Sequence, residues 1–110
     1  MANTFKNAAL ADVSNSSYDT LYTAPSATTT VVLGLAIANK SSQAVTVQVQ
    51  YSDNSAGTTH QLIENVSIPG STTLETLAGQ KYILEASDAL KVQAGTASAI
   101  DVVLGVMEIT

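Results

Sequence analysis

Between residues 44 and 52 the chain alternates without a break. Val45, Val47, Val49 and Tyr51 fall on one side, and Thr46, Gln48, Gln50 and Ser52 on the other. A period of two sends successive side chains to opposite faces of a pleated strand and excludes a helix. The same period predicts strands over Tyr18–Thr23, Thr28–Asn39, Thr58–Ile68 and Thr72–Leu77. Three closing strands follow over Gln80–Ala86, Ala89–Ala94 and Ser98–Ile109. Turn-forming residues separate these runs, among them Asn15-Ser16-Ser17, Ala24-Pro25-Ser26, Asp53–Gly57, Ala78-Gly79, Ser87-Asp88 and Gly95-Thr96. At Pro69-Gly70-Ser71, Gly70 is expected to take the positive φ of a Pro-Gly turn. Asn39-Lys40-Ser41-Ser42 is expected to close a hairpin between its flanking strands, and the three closing strands to form a meander. The first residues, with Phe5, Leu10 and Val13, fit a short strand or an arm. Ala8–Val13 is the best helical stretch, and it is too short to stand alone.

Two strands depart from one-sided alternation. In Thr28–Asn39, Val31, Leu33, Leu35 and Ile37 make a bulky face and Val32, Gly34, Ala36 and Ala38 a small-residue face that lets another backbone or sheet approach. In Ser98–Ile109, Ile100, Val102, Leu104 and Val106 share one face. Val103, Gly105, Met107 and Ile109 share the other, with only Asp101 and Glu108 interrupting. A strand apolar on both faces needs cover on both sides, from its own fold or from a neighbouring subunit. Both coverings are open at this level. The expected fold is all-β: an antiparallel β-sandwich over residues 1–110, jelly-roll or immunoglobulin-like, with seven to nine short strands. Residues 1–15 are then an N-terminal arm or an edge strand.

Composition narrows the function. The chain has 110 residues, a net charge of −5, and only 12% charged residues beside 45% hydrophobic ones. It has four lysines and no arginine, so bidentate phosphate recognition is missing, and the acidic balance opposes nucleic acid and anionic membranes. Cysteine and tryptophan are absent, which excludes disulfides, thiolate metal sites and an aromatic platform. Few charges with abundant Val, Ala and Thr fit a surface partly hidden in an assembly. The start of the chain shows no basic segment followed by an apolar run, so a protein made and kept in a cytosol until it is assembled is expected.

No reaction chemistry assembles along the chain. His60 is the single histidine, and Glu64, at an even offset on the same strand, is its nearest carboxylate; such a pair is ordinarily a solvated contact. Asp53-Asn54-Ser55-Ala56-Gly57 lacks the spaced ligands and distal glutamate of a calcium loop and reads as an Asx-rich hairpin loop. Ser87-Asp88 reads as a self-capped turn, and Asp101 as a charge that keeps an apolar strand soluble. Neither Gly-x-Ser-x-Gly nor Ser-x-x-Lys occurs, and Gly79-Gln80-Lys81 lacks the pattern of a phosphate loop. Asn-x-Ser sequons stand at Asn15, Asn39 and Asn65, a number expected by chance in so Ser- and Asn-rich a chain. No catalytic, cofactor or metal residue is assigned.

Several stretches together resemble small virion structural proteins of tailed bacteriophages, of the marine and cyanobacterial phage type. They are Leu21-Tyr22-Thr23-Ala24-Pro25, the Val-rich strand ending Ala38-Asn39, Ala44–Val49, Val66-Ser67-Ile68-Pro69-Gly70-Ser71, and the run from Tyr82 to Val92. The likeness spans roughly Thr20 to Ile109 and rests on turn and strand patterns. Where that group has Ala-Gly-Asp, this chain has Ala86-Ser87-Asp88, a change of turn that carries over no functional residue. The resemblance implies a non-enzymatic virion subunit on a capsid, neck or tail, without cofactor. Its partners would be copies of itself, a trimer among the forms allowed, and other virion proteins such as the major capsid, neck or tail proteins. Nucleic acid and membrane are not among them. The expected contact residues are Val32, Gly34, Ala36 and Ala38, with Val103, Met107 and Ile109. A carbohydrate-binding or adhesin-like sandwich is the alternative from a different class, disfavoured by the shortage of aromatic residues.

Overall fold

The computed structural model describes residues 3–54, 56–75 and 82–110. Its described strands are β1 (Asn3–Leu10), β2 (Asp19–Thr23), β3 (Thr29–Asn39), β4 (Val45–Asp53), β5 (Thr58–Ile68), β6 (Thr72–Glu75), β7 (Tyr82–Leu84), β8 (Ala89–Ala94) and β9 (Ile100–Ile109). Their pairing is nested. β1 pairs with β9, β2 with β8, β3 with β6 and β7, and β4 with β5, all antiparallel. The chain is thus one long hairpin with its tip at the β4–β5 loop. Rolled on itself, it adds the pairs β3·β9 and β4·β8 and yields two sheets, β1-β9-β3-β6 with β7 beside β3, and β2-β8-β4-β5. This is a jelly roll, one of the two sandwich types expected.

Nested pairing corrects two local expectations. β3 and β4 do not form a hairpin, because they lie in different sheets. Each turns a mainly apolar inner face to the core, and the two faces meet across the sandwich instead of lying edge to edge. Asn39 makes the corner. Its buried amide donates to Gln43 O at 2.8 Å and Ile68 O at 2.9 Å, and its Oδ1 accepts from Ser41 N at 3.0 Å and Ser41 Oγ at 2.8 Å. Nor do the closing strands form a meander: β7, β8 and β9 alternate between sheets, since each pairs with a strand from the first half of the chain. Residues 76–81, which include the expected ends Thr76-Leu77 and Gln80-Lys81 and the turn Ala78-Gly79, lie outside the described residues, as does Ser55. Ala8–Leu10, the start of the helical candidate, belongs to the edge strand β1.

The core lies between the sheets. Val32, Leu35, Ile37, Val102, Leu104 and Val106 face it from the first sheet, and Leu21, Val47, Val49, Leu90 and Val92 from the second. The alternation of β4 holds as expected, with Val45, Val47 and Val49 buried. In β3 it does not. Val32 opposes Val106 and Gly34 opposes Gly105, so Leu33 is an extra residue, a β-bulge. The bulge reverses the phase of the strand. Thr30 and Val32 point inward before it, Leu35, Ile37 and Asn39 after it. Both expected faces of this strand are therefore split: Val31 and Leu33 turn outward, and Val32 joins the core.

Positive φ outside glycine occurs at turns and, at Asn65, inside the bulged strand β5. Gly70 is not at positive φ; the next residue, Ser71, is, at 57°. Glycine is required at 70 for another reason. A Cβ there would sit 2.5 Å from the carbonyl oxygen of Ser42. Gly70→Ala should therefore cost about 1–3 kcal/mol of stability by overpacking. Ser87, in the turn between β7 and β8, has φ 70°. Relief of left-handed strain, about 1–2 kcal/mol, exceeds the added unfolded-state entropy of glycine, so Ser87→Gly should stabilise by about 0.5–1 kcal/mol. Urea unfolding midpoints of the two variants should move in opposite directions, and a fall in both would refute the account.

Candidate functional site

The polar groups inside the sandwich gather at its two ends and serve the fold. Asp88 has no exposed surface. Its Oδ2 accepts from Glu85 N and Tyr51 Oη, both at 2.9 Å, and its Oδ1 accepts from Asn54 N at 2.9 Å. The expected self-capped turn is present in the Glu85 bond. The sequence did not show that the same carboxylate also ties the turn to β4 and to the hairpin tip. Burial first, then the Asp88 hydrogen bond, drives the Tyr51 hydroxyl pKa well above its ordinary value.

Asp53, Glu85 and Asp88 bring carboxylate oxygens within 4.8 Å of one another, the one such cluster among the described residues. A divalent cation needs several free oxygens, and both oxygens of Asp88 are already held by donors of the fold. The loop at Asp53–Gly57 behaves as the Asx-rich hairpin tip expected, with Asp53 Oδ1 accepting from Ala56 N at 3.2 Å.

Glu108 is the second buried acid, 5% exposed, and here the sequence misled. It interrupts the strand pattern only on paper, since it continues the inward face of Val102, Leu104 and Val106. Tyr22 Oη donates to it at 2.5 Å and lies 2.9 Å from Thr30 Oγ1, and Lys6 pairs with it at 3.0 Å. Tyr22 belongs to one sheet and Glu108 to the other, so the bond joins the layers. The hydrogen bond from Tyr22, then that from Lys6, holds the Glu108 carboxyl below its ordinary pKa. Burial, reinforced by Glu108, pushes the Tyr22 hydroxyl up to about 12.

His60 and Glu64 are not brought together as a pair. β5 carries two extra residues relative to β4, between Gln61 and Ile63 and between Ile63 and Val66, so an even offset no longer fixes a common face. His60 instead stacks on Tyr51, with ring centroids 6.2 Å apart, and its Nε2 lies 3.1 Å from Thr58 Oγ1. Glu64 accepts from Asn65 Nδ2 at 3.4 Å. Asp101 accepts from Asp12 N and pairs with Lys40, both at 3.0 Å, which lowers its pKa. It anchors the chain after β1 as well as breaking an apolar strand.

The surface left over for function is the outer face of the first sheet. Phe5 is 73% exposed, Ile83 and Val103 53%, and Leu33 39%. Met107 and Ile109 are half-buried beside them. Of the expected contact residues, Gly34, Ala36, Ala38, Val103, Met107 and Ile109 meet on this face, whereas Val32 does not.

No family model matches the chain, and no curated protein matches it by sequence. Solved structures do. A chain from a study of Bacillus endospore appendages, described there as a family of disulfide-linked pili, aligns over 96% of this chain and 85% of that one, at 14% identity and a TM-score of 0.51. A chain of infectious bursal disease virus, Gx strain, aligns over 96% of this chain at 11% identity and a TM-score of 0.55. This chain spans 31% of that one. A chain of the cyanophage Pam1 capsid asymmetric unit aligns over 96% and 83%, at 14% identity, with a TM-score of 0.47 that is too low to support an inference. At these identities the likenesses show the fold.

The buried acid makes a pH prediction. A carboxylate whose folded pKa is lowered stabilises the fold fully above its unfolded value and loses that contribution as pH falls through the folded value. For Glu108 the ordinary value is 4.5 and for Asp101 3.8. Glu108→Gln should be less stable than the parent at pH 7, and the difference should shrink as pH falls from the ordinary 4.5 through the lowered folded value. Urea unfolding of both proteins from neutral to acid pH measures it; parallel curves would remove Glu108 from this role.

Proposed function

We propose that this chain is a non-enzymatic structural subunit of a bacteriophage particle, repeated on the capsid, neck or tail, and bound to copies of itself and to other virion proteins. The observation that carries the reading is the uncovered apolar face of a jelly roll whose buried polar groups are spent on holding the fold. Asp88, Glu108 and Asn39 each have their oxygens or amide engaged by backbone or by a neighbouring side chain. A catalytic site needs a group free to act on a substrate, and a nucleophile with a base within reach. An apolar face of this extent on a small domain calls for a partner surface.

The sequence resemblance to small phage virion proteins supports the viral setting. The shared fold supports a structural role, since the spore-appendage protein is described as forming pili and the other fold relative belongs to a virus. No catalytic, cofactor or metal residue is assigned in this reading, and its location is the virion.

The test is quantitative mass spectrometry of gradient-purified particles from a culture that produces the protein. The chain should co-purify at many copies per particle and resist a high-salt wash. Its absence from intact particles would overturn the reading, and specific capture on a glycan array would favour the carbohydrate-binding alternative.

A further inference from the structure

The outer face of the first sheet is built in rows that run across the strands. Residues directly opposed in the ladders place Phe5, Met107, Val31 and Ile83 in one row over β1, β9, β3 and β7. The next row, two residues along β1 and β9 and three along β3 because of the bulge, is Asn7, Gly105 and Gly34, and the one after is Ala9, Val103 and Ala36. In relief these are a bulky ridge, a trough and a low shelf. The trough is open at Gly105, where nothing beyond its chain neighbours lies within 4 Å of an added Cβ, while at Gly34 the outward Leu33 of the bulge stands beside it.

We propose that a second copy of this chain covers this face, related by a two-fold axis that lies in the interface along the glycine row. The physical argument stands on the face alone, and its place in a particle rests on the function proposed above. Rotation about that axis exchanges ridge and shelf. Phe5 of each copy then lies over Ala9 of the other, Met107 over Val103, and Val31 over Ala36. Large side chains of the ridge meet small ones of the shelf, so these rows interdigitate, and the outward Leu33 side chains of the two copies meet each other near the axis. A surface complementary to itself in this way closes as an isologous pair.

Area and charge agree with a second copy. Strands about 4.8 Å apart and about nine residues long give a face of about 20 by 30 Å, near 600 Å² per copy. The pair would bury about 1,200 Å² in total, the lower end for a specific interface, which sets the expected affinity in the micromolar range. Across β1, β9 and β3 the three rows carry no charged residue. A face nine residues long also takes in two acids at its margins: Glu75, which ends the shelf row on β6 and faces Ile83 of the other copy, and Asp101, which is paired with Lys40 and faces Ile109. The net charge of −5 acts only at the margins of the seam, and its centre is uncharged. A strongly charged partner would find no counter-charge there.

Sedimentation equilibrium of the purified chain from about 1 to about 300 µM brackets an interface of this size. A monomer–dimer equilibrium is expected, weakened about a hundredfold by Val103→Asp, which buries a carboxylate in the seam. Val66→Asp, at an exposed position on the other sheet, should leave it unchanged, with circular dichroism showing that both variants fold. Orientation is tested by cross-linking in a chain without native cysteine. Stacked sheets lie about 10 Å apart, too far between backbones for a disulfide, so a short bismaleimide spanning about 8 Å between sulfurs serves as the probe. Val103→Cys combined with Met107→Cys should be cross-linked between copies at least about tenfold faster than either single variant. With either cysteine alone, the matching residues of the two copies are about 13 Å apart along the strands, beyond its reach. A monomer at every concentration, an unchanged dimer in Val103→Asp, or equal cross-linking by single and double variants would each overturn the proposal. A monomeric protein still found in particles would sink this interface and leave the structural role standing; a dimer missing from particles would do the reverse.

Discussion

Everything in this molecule hangs on the pairing of β3 with β9, the two long strands in the middle of the first sheet. From Thr29↔Ile109 to Asn39↔Ile100 they run the length of the sandwich and carry core on one side and open surface on the other. The break in that ladder at Leu33 decides which side chains go where. With the bulge, Val32 and Leu35 both reach the core although they are three residues apart. Without it, an unbroken alternation that buried Val32 would bury Gly34 and Ala36 as well, and would turn Leu35 and Ile37 to the surface. Losing the burial of two such side chains would cost about 1.5–3 kcal/mol each, a large share of a small domain's stability. The extra residue is what lets one strand supply a filled core and a nearly flat outer face.

Polar burial follows from the same geometry. A rolled hairpin turns its chain between sheets at the ends of the sandwich, where backbone groups leave the ladder and must find other partners. Asn39 serves the corner at one end. Asp88 serves the turn and the hairpin tip at the other, beside the Tyr22–Glu108 bond that spans the layers. Removing one partner of such a bond leaves a desolvated group behind, so these residues hold the topology more firmly than their number suggests. It also follows that the buried Asp88 is occupied, which is why it makes a structural joint within the cluster of three carboxylates.

What could be read from the sequence was what is local. β4 was legible because Thr46, Gln48 and Gln50 fix its phase, and β5 because Thr58 and Ile68 bound it clearly. β3 was not, because from Val31 to Ala38 every residue is apolar or glycine, so either phase satisfies the pattern. Gly34 inside a strong strand was the signal that could have found the bulge. Partner choice was illegible for a different reason. β1 pairs with β9 and β2 with β8 across nearly the whole chain, and no short window records a contact between its two ends. Positive φ at Ser71 and Ser87 was hidden because the sequence names glycine for that conformation, whereas Gly70 is needed for clearance from Ser42. Glu108 looked like an interruption because a single buried acid is recognised only through partners far away in sequence.

The outer face joins these threads to function. The sequence left two coverings open for the second apolar side of the closing strand, and the fold removes one of them. The rolled hairpin places one sheet, not two, against the inward side of β9, so Val103, Met107 and Ile109 cannot be core. A chain with few charges could have placed one of them here to keep the face in water, as Asp101 does further along the strand. Instead Val103 stands 53% exposed between Ala9 and Ala36. An exposed apolar surface with glycine at its centre offers contact area without side-chain entropy to lose on association, a combination suited to binding a rigid surface. The same bulge that completes the core thus leaves the protein with an apolar face that its own fold does not cover.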